Sequence, residues 1–130
     1  MEYIKWKDEF SVSNTTIDAQ HKELFQHINN FYNSVAGNSG KAAISKVVQD
    51  LEDYVVKHFT TEEGLMMRAN YDDYPAHKAE HEKFIATVSD FRQRHNDGRL
   101  LLSLEVAGFV KNWITDHILK TDQLYKGKIW

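Results

Sequence analysis

Five histidines and two carboxylates in this chain have the types and spacing of metal ligands. His77 and His81 lie four residues apart in the segment YPAHKAEHEKF, so in a helix they lie one turn apart on the same side. A pair at this spacing is also common on protein surfaces. The metal interpretation therefore depends on partners elsewhere. The candidate ligands are His21, His58, Glu62, His77, His81, His117 and Asp122.

Four amphipathic segments must position these residues. Apolar residues recur at helical spacing over residues 17–35, 41–68 and 100–120, and in a segment that begins near Pro75 and is broken by HNDG (residues 95–98). We expect a capping box at residues 15–18 and fraying or termination after Gly64. Short turns between helices of similar length predict an all-α fold, an antiparallel up-down-up-down four-helix bundle. The predicted single domain (1–130) has an N-terminal arm (1–16), the bundle (17–121) and a C-terminal tail (122–130).

The apolar faces of these helices predict the core. The fourth helix should bury Leu102, Val106, Phe109, Val110, Trp113 and Ile114. Four aromatic residues outside the bundle are expected to anchor the arms by simple packing: Trp6, Phe10, Tyr125 and Trp130.

The predicted topology brings the seven candidate ligands together. They lie near the beginnings of the first and third helices and near the ends of the second and fourth. In an up-down-up-down bundle all four positions fall at one end. His27 lies on the flank of its helix and His95 at the opposite end, so we expect both to face solvent.

Composition excludes several functional classes. The chain of 130 residues has no cysteine, which excludes disulfides, thiolate metal sites and cysteine nucleophiles. Its net charge of −3 argues against nucleic-acid binding. No segment approaches the roughly 20 apolar residues of a membrane span, and we expect a soluble, cytoplasmic monomer.

The donor set favours a pair of iron ions. Imidazoles crowded in an apolar core leave unpaired nitrogens, and metal ions resolve that cost. Seven ligands exceed one tetrahedral zinc and are too rich in nitrogen for magnesium or calcium, whereas imidazole with carboxylate suits iron, with copper, nickel and zinc as competitors. If Glu62 and Asp122 bridge two octahedral ions together with one oxide or hydroxide, one of roughly twelve positions stays open for a small ligand such as dioxygen.

The spacing of His117 and Asp122 requires a distorted helix. Five residues in a regular helix rotate by ~140° beyond a full turn, so the two side chains would point in different directions. We expect a π-type bulge or an unwound turn between Ile118 and Gln123.

The motifs together resemble the hemerythrin family, specifically its single-domain bacterial members. The segments that carry the resemblance are WKDEFSVSNTTIDAQHKELF, HFTTE, HKAEH and WITDHILKTD, which cover nearly the whole chain in the family's order. The resemblance implies that His77, His81 and His117 bind one non-haem iron. It also implies that His21 and His58 bind a second, with Glu62, Asp122 and an oxo or hydroxo group as bridges.

The resemblance further implies reversible dioxygen binding without catalysis. A free-standing domain favours oxygen storage or delivery to an oxygen-consuming enzyme. We expect a dry pocket at the open iron, walled by Trp113, Ile114, Leu24, Phe25 and Phe59. Gln20, Glu63 and Asp116 are candidate partners that orient the imidazoles.

Three other functions compete with this interpretation. HKAEH also fits the H-x-x-E-H signature of zinc peptidases, in which Glu80 would be the general base. That reading leaves His21, His58, His117 and Asp122 unexplained. Ferritin-like oxidases use Glu-x-x-His motifs and more carboxylates than the inner faces offer here. An oxygen or iron sensor, or an iron-handling module, usually carries further domains or cysteines.

Overall fold

The computed structural model describes residues 3–98 and 103–129. In these residues, four helices are arranged up-down-up-down. The helices are α1 (Thr15–Ala36), α2 (Lys41–Arg68), α3 (Tyr74–Asn96) and α4 (Leu104–Asp116). α4 continues into a π-helical segment (His117–Thr121) and a 3-10 turn (Asp122–Tyr125). The all-α, antiparallel four-helix bundle is confirmed. Leu100, Leu102 and Trp130, which entered the predictions, lie outside the described residues.

The start of α1 differs from the predicted capping box. Asn14 caps the helix, with its Oδ1 accepting from the Ile17 backbone N–H at 3.0 Å. Asp18 instead holds the N-terminal arm, since its carboxylate accepts from Ser11 Oγ at 2.6 Å and from the Val12 N–H at 2.9 Å. The capping-box prediction was therefore wrong, and α1 begins at Thr15.

α2 runs without interruption through Gly64 to Arg68, so the expected break after the glycine was wrong. A glycine in a helix costs about 1 kcal/mol relative to alanine. Glu62 and Met66 on either side of it are fully buried. The packing of Met66 against apolar residues of other elements outweighs that cost.

The predicted distortion after α4 is confirmed. The π-helical segment begins at His117, one residue before the expected start, and Asp122 follows it directly. The wider turn compensates for the five-residue spacing, so His117 and Asp122 lie on the same side.

Three residues differ from their predicted exposure. Phe109 is 40% exposed, although its ring lies 6.5 Å from that of Phe84 and 5.8 Å from that of Phe91. His95 is only 2% exposed, because the end of α3 packs against the start of α2 and places its Nε2 3.4 Å from the Lys41 carbonyl oxygen. His27, also expected in solvent, is half-buried against the Tyr54 ring.

The arm is anchored more specifically than simple packing implies. Asn29 on α1 accepts from the Tyr3 and Ile4 backbone N–H groups at 2.8 Å and donates to the Ile4 carbonyl at 3.0 Å. Trp6 and Phe10 pack on Phe25.

A second apolar cluster covers the end of the bundle where the candidate ligands lie. This end cluster consists of Val12, Ile17, Met66, Tyr125 and Ile129. It therefore joins the arm, two helices and the tail. None of the helices within residues 3–98 and 103–129 is long and apolar enough to cross a lipid bilayer.

Candidate metal centre

All seven predicted ligands meet at one end of the bundle. None of the seven side chains is more than 4% exposed: His21, His58, Glu62, His77, His81, His117 and Asp122. They form two groups whose ligand atoms lie within 4.8 Å of one another, one containing His77, His81 and His117, the other His21 and His58. We call these groups the three-histidine half and the two-histidine half.

The two carboxylates lie between the halves. Asp122 Oδ1 is 3.1 Å from both His77 Nε2 and His117 Nε2, and its Oδ2 is 3.2 Å from His21 Nε2. Glu62 Oε1 is 3.4 Å from His58 Nε2 and 3.5 Å from His81 Nε2. Each carboxylate therefore reaches ligand atoms of both halves.

Three imidazoles are oriented by side chains on their outer nitrogens, Nδ1. His58 Nδ1 donates to Gln20 Oε1 at 2.8 Å, and His81 Nδ1 donates to Glu63 Oε2 at 2.9 Å. These two contacts match the predicted orienting partners. The remaining nitrogen of each ring, Nε2, then presents a lone pair to the interior.

The third orienting partner is Glu80, and the prediction of Asp116 for such a role was wrong. Glu80 Oε1 lies 3.4 Å from His117 Nδ1, and the Thr121 hydroxyl donates to the same carboxylate oxygen at 3.1 Å. Asp116 is exposed and lines a cavity of about 180 Å³ beside His117. The sequence signal for Glu80 was its place within HKAEH, on the side of α3 that faces the end of α4.

Tyr125 is the site residue that sequence reasoning missed. Its fully buried phenol donates a hydrogen bond to Glu62 Oε2, and its ring lies against His77 with centroids 5.6 Å apart. Burial, and then the nearby carboxylates, raise the pKa of Tyr125, so the phenol stays protonated and acts as a donor. We had predicted only packing for this residue.

Aromatic rings cover the three-histidine half. Phe59 stacks face to face on His81 with centroids 3.6 Å apart, and Trp113 stacks on His117 at 4.7 Å. Leu24, Phe25 and Ile114 are buried in the adjoining hydrophobic core.

The electrostatics of the cluster favour a cation. Burial lowers the pKa of His58 to about 4 and that of His81 to about 3, so both rings are neutral near pH 7. Burial also lowers the pKa of His21, but Asp122 and Glu62 outweigh it and raise the pKa to about 9. Although burial opposes ionisation of Glu62 and Asp122, the histidines around them lower both pKa values. The centre therefore holds two buried carboxylates, whose charge is offset in part by a proton on His21 that a metal ion would have to displace.

The protein alone does not satisfy these polar atoms. His81 Nε2 and His117 Nε2 lie 3.0 Å apart, yet both rings direct their outer nitrogen at a carboxylate. Two lone pairs then face each other unless a cation or an extra proton relieves them. Within the described residues, several buried atoms of the cluster also have no hydrogen-bond partner: His21 Nδ1 and Nε2, Glu62 Oε1, His77 Nε2, and Asp122 Oδ1 and Oδ2. Five of these six are the inward-facing atoms, which fit metal ions.

The family model of the hemerythrin HHE cation binding domain matches residues 12–129. The chain belongs to the hemerythrin family. The bacteriohemerythrin of Methylococcus capsulatus is 35% identical over 117 residues, which cover 90% of this chain and 88% of that protein. The bacteriohemerythrin of Pseudomonas aeruginosa is 36% identical over 125 residues, covering 96% of this chain and 80% of that protein.

Relatives extend beyond bacteria and into solved structures. A hemerythrin-like protein of Naegleria gruberi is 33% identical and covers 94% of this chain and 90% of that protein. The crystal structure of wild-type hemerythrin superposes with a TM-score of 0.93 at 33% identity, covering 98% of each chain. Membership in the hemerythrin family makes this chain a metal-binding four-helix bundle.

Proposed function

We propose that this hemerythrin domain binds dioxygen reversibly at a non-haem diiron centre and serves oxygen storage or delivery to an oxygen-consuming enzyme. The three-histidine half would hold one iron and the two-histidine half the other. Glu62, Asp122 and an oxo or hydroxo group would bridge them. A ferrous pair, when bound, supplies the electrons for reversible dioxygen binding.

One observation carries this proposal. Inward-facing ring nitrogens on four helices surround two buried carboxylates, and within the described residues two of these five nitrogens and three of the four carboxylate oxygens lack a hydrogen-bond partner. Such a donor set is nitrogen-rich and closed to solvent, which suits iron better than magnesium or calcium. The similarity to proteins named bacteriohemerythrin supports the same assignment.

The two halves differ in how many protein ligands they offer. The three-histidine half has one imidazole more than the two-histidine half. With both carboxylates shared, we expect the open coordination position on the two-histidine half, because it offers one imidazole fewer. No side chain of the cluster is required as an acid or base in this function.

The apolar residues beside the centre would exclude water and anions from it. Leu24, Phe25, Phe59 and Ile114 are buried, and Trp113 packs against the same core. We propose these five as the walls of the dioxygen pocket. Their contribution would be a dry environment that keeps water and anions away from the metal ions.

Glu80 does not favour the peptidase alternative. Its carboxylate contacts His117 Nδ1 and Thr121, on the outer side of the imidazole. A general base would have to lie on the inner side, beside a metal-bound water. We therefore propose an orienting function for Glu80.

The first experiment loads purified protein with ferrous iron under nitrogen, counts iron per chain and records absorption spectra as air is admitted and removed. We expect two irons per chain and a colour that appears with oxygen and fades without it. His21→Ala should lose the oxygen-dependent colour, because the two-histidine half would keep only one imidazole. His27→Ala, which removes a histidine outside the cluster, should retain it. A wild-type protein that stays colourless in oxygen, or a fully coloured His21→Ala variant, would refute the proposal.

A further inference from the structure

The two halves of the centre differ in the chemistry that supports their imidazoles. In the three-histidine half, two of the rings direct their outer nitrogens at carboxylates, Glu63 and Glu80. In the two-histidine half, His58 directs its outer nitrogen at the neutral amide of Gln20. His21 Nδ1 has no hydrogen-bond partner within the described residues. Among these contacts to the outer nitrogens, carboxylates therefore occur only in the three-histidine half.

The amide orientation at Gln20 is fixed by its other contact. Its Nε2 lies 3.5 Å from Thr61 Oγ1, while the Thr61 hydroxyl is committed as a donor to the Lys57 carbonyl. The Thr61 oxygen thus accepts from the amide nitrogen, and the amide oxygen faces His58. The partner of His58 is consequently a neutral acceptor.

The carboxylate partners are held by separate elements. Glu63 follows the ligand Glu62 on α2, and only 18% of its side chain is exposed. Glu80 lies on α3, and 47% of its side chain is exposed, with Thr121 at the end of the π-helical segment binding its carboxylate. The shorter, less exposed contact of Glu63 should have the larger effect, because solvent screens Glu80.

A carboxylate acceptor changes what an imidazole offers a metal. It draws the Nδ1 proton and makes the ring a stronger donor at Nε2, which stabilises a more highly charged metal ion. A neutral amide draws the proton less.

We infer that Glu63 and Glu80 are positioning residues that make the three-histidine half the more easily oxidised half of the diiron centre. This inference rests on the proposed function. The three-histidine half would lose its electron at the lower potential, and the two-histidine half, supported by Gln20, at the higher potential. The pair of metals would therefore be electronically unequal before any ligand binds.

The test is a potentiometric titration of the iron-loaded protein, with the one-electron-oxidised state followed by electron paramagnetic resonance. Glu63→Gln should raise the lower of the two potentials, so that a smaller share of the iron is oxidised at a fixed potential. Glu80→Gln should raise it less. Gln20→Glu should lower the higher potential. Both kinds of change should reduce the difference between the two reduction potentials. The glutamate substitutions raise the lower potential, and Gln20→Glu lowers the higher one.

Glu82→Gln is the matched control. Glu82 follows His81 on α3, its side chain is 66% exposed, and it pairs with Lys78 rather than with an imidazole. Glu82→Gln removes the same charge as Glu63→Gln but leaves the partners of the imidazoles in place. Both potentials should therefore stay at their wild-type values.

The outcomes separate this inference from the proposed function. A wild-type protein without two irons or reversible colour would refute the proposed function. Two irons, reversible colour and potentials unchanged in both Glu63→Gln and Gln20→Glu would refute the inference alone. If Glu63→Gln fails to fold or load iron, Gln20→Glu decides, since it adds a carboxylate and leaves the three-histidine half intact. A higher potential in Gln20→Glu would also overturn the inference.

Discussion

Residue type and spacing identified the seven residues of the cluster because each interrupts an apolar stripe. Burying a histidine or carboxylate on an inward face costs free energy that a partner must compensate. Such a residue can be recognised from the apolar pattern of its own helix, without knowledge of the other helices. Gln20 and Glu63 could be predicted as orienting partners because each is adjacent in sequence to a candidate ligand.

Tyr125 and Glu80 could not be assigned in this way. The partner of each lies on another element, Glu62 for Tyr125 and His117 for Glu80. An aromatic residue in a tail has packing as its simplest explanation, and a glutamate on a helix has solvent exposure. Only the tertiary arrangement distinguishes these possibilities from a contact with the cluster.

Replacing Ile114 with alanine tests the proposed pocket wall. Ile114 is 1% exposed, so Ile114→Ala should cost about 2–5 kcal/mol of stability and open space for water beside the centre. We therefore expect faster autoxidation, measured as the decay of the oxygenated absorption band at a temperature where the variant is folded. Ile44→Ala, at the start of α2 and the far end of the bundle, is the control that loses stability without faster decay. Equal decay rates in the two variants would restrict Ile114 to packing.

At the scale of elements, the positions of the helices could be predicted from the periodicity of apolar residues. The helix ends could not, because they depend on which nearby side chain caps the helix. The predicted and observed starts of α1 differ by two residues because Asn14 supplies the cap and Asp18 binds the arm. The effect of Gly64 as a helix break was overestimated, since the helix propensity of one residue is small beside the burial of Met66 in the end cluster. The π-helical segment was predictable because it follows from a geometric requirement on two named side chains.

That requirement leads to a prediction about chain length in the π-helical segment. Deleting exposed Lys120 would leave His117 and the aspartate four residues apart, which in a regular α-helix is ~40° beyond a full turn. The carboxylate would still face the cluster, so we expect the deletion variant to bind two irons. Inserting one alanine after Lys120 should turn Asp122 away by ~100° and reduce the iron content.

Iron analysis of the two purified variants, with circular dichroism to confirm folding, checks this prediction. Full iron loading of the insertion variant would show that Asp122 is dispensable for binding. Loss of iron in the deletion variant alone would show that the wide turn itself, and not the direction of the carboxylate, is what the centre needs.

At the scale of the whole molecule, the topology could be predicted because short connections between helices of similar length permit few arrangements. The burial of His95 could not, since it depends on how the end of α3 settles on the start of α2. The same alternation of helix direction that places His95 far from the centre gathers the candidate ligands at the other end.

Removing the metals should destabilise the whole fold, because the buried carboxylates and imidazoles would lose their compensation. Metal that binds only the folded state stabilises it by about 2.7 kcal/mol when free metal is a hundredfold above its Kd. We expect a lower melting temperature after anaerobic chelation of the ferrous protein and its recovery after reloading. A variant that binds no iron should melt at the same temperature with and without chelator. An unchanged wild-type melting temperature would contradict this expectation.

The end cluster has a consequence for how the protein acquires its metals. Val12 of the N-terminal arm and Ile129 of the tail lie in this same cluster, beside ligands that are almost completely shielded from water. We expect transient undocking of the tail, a local opening that costs less than global unfolding, to speed the uptake of metal ions. The rate of metal uptake should then increase with the frequency of this local opening, and the closed end cluster should slow the release of bound ions.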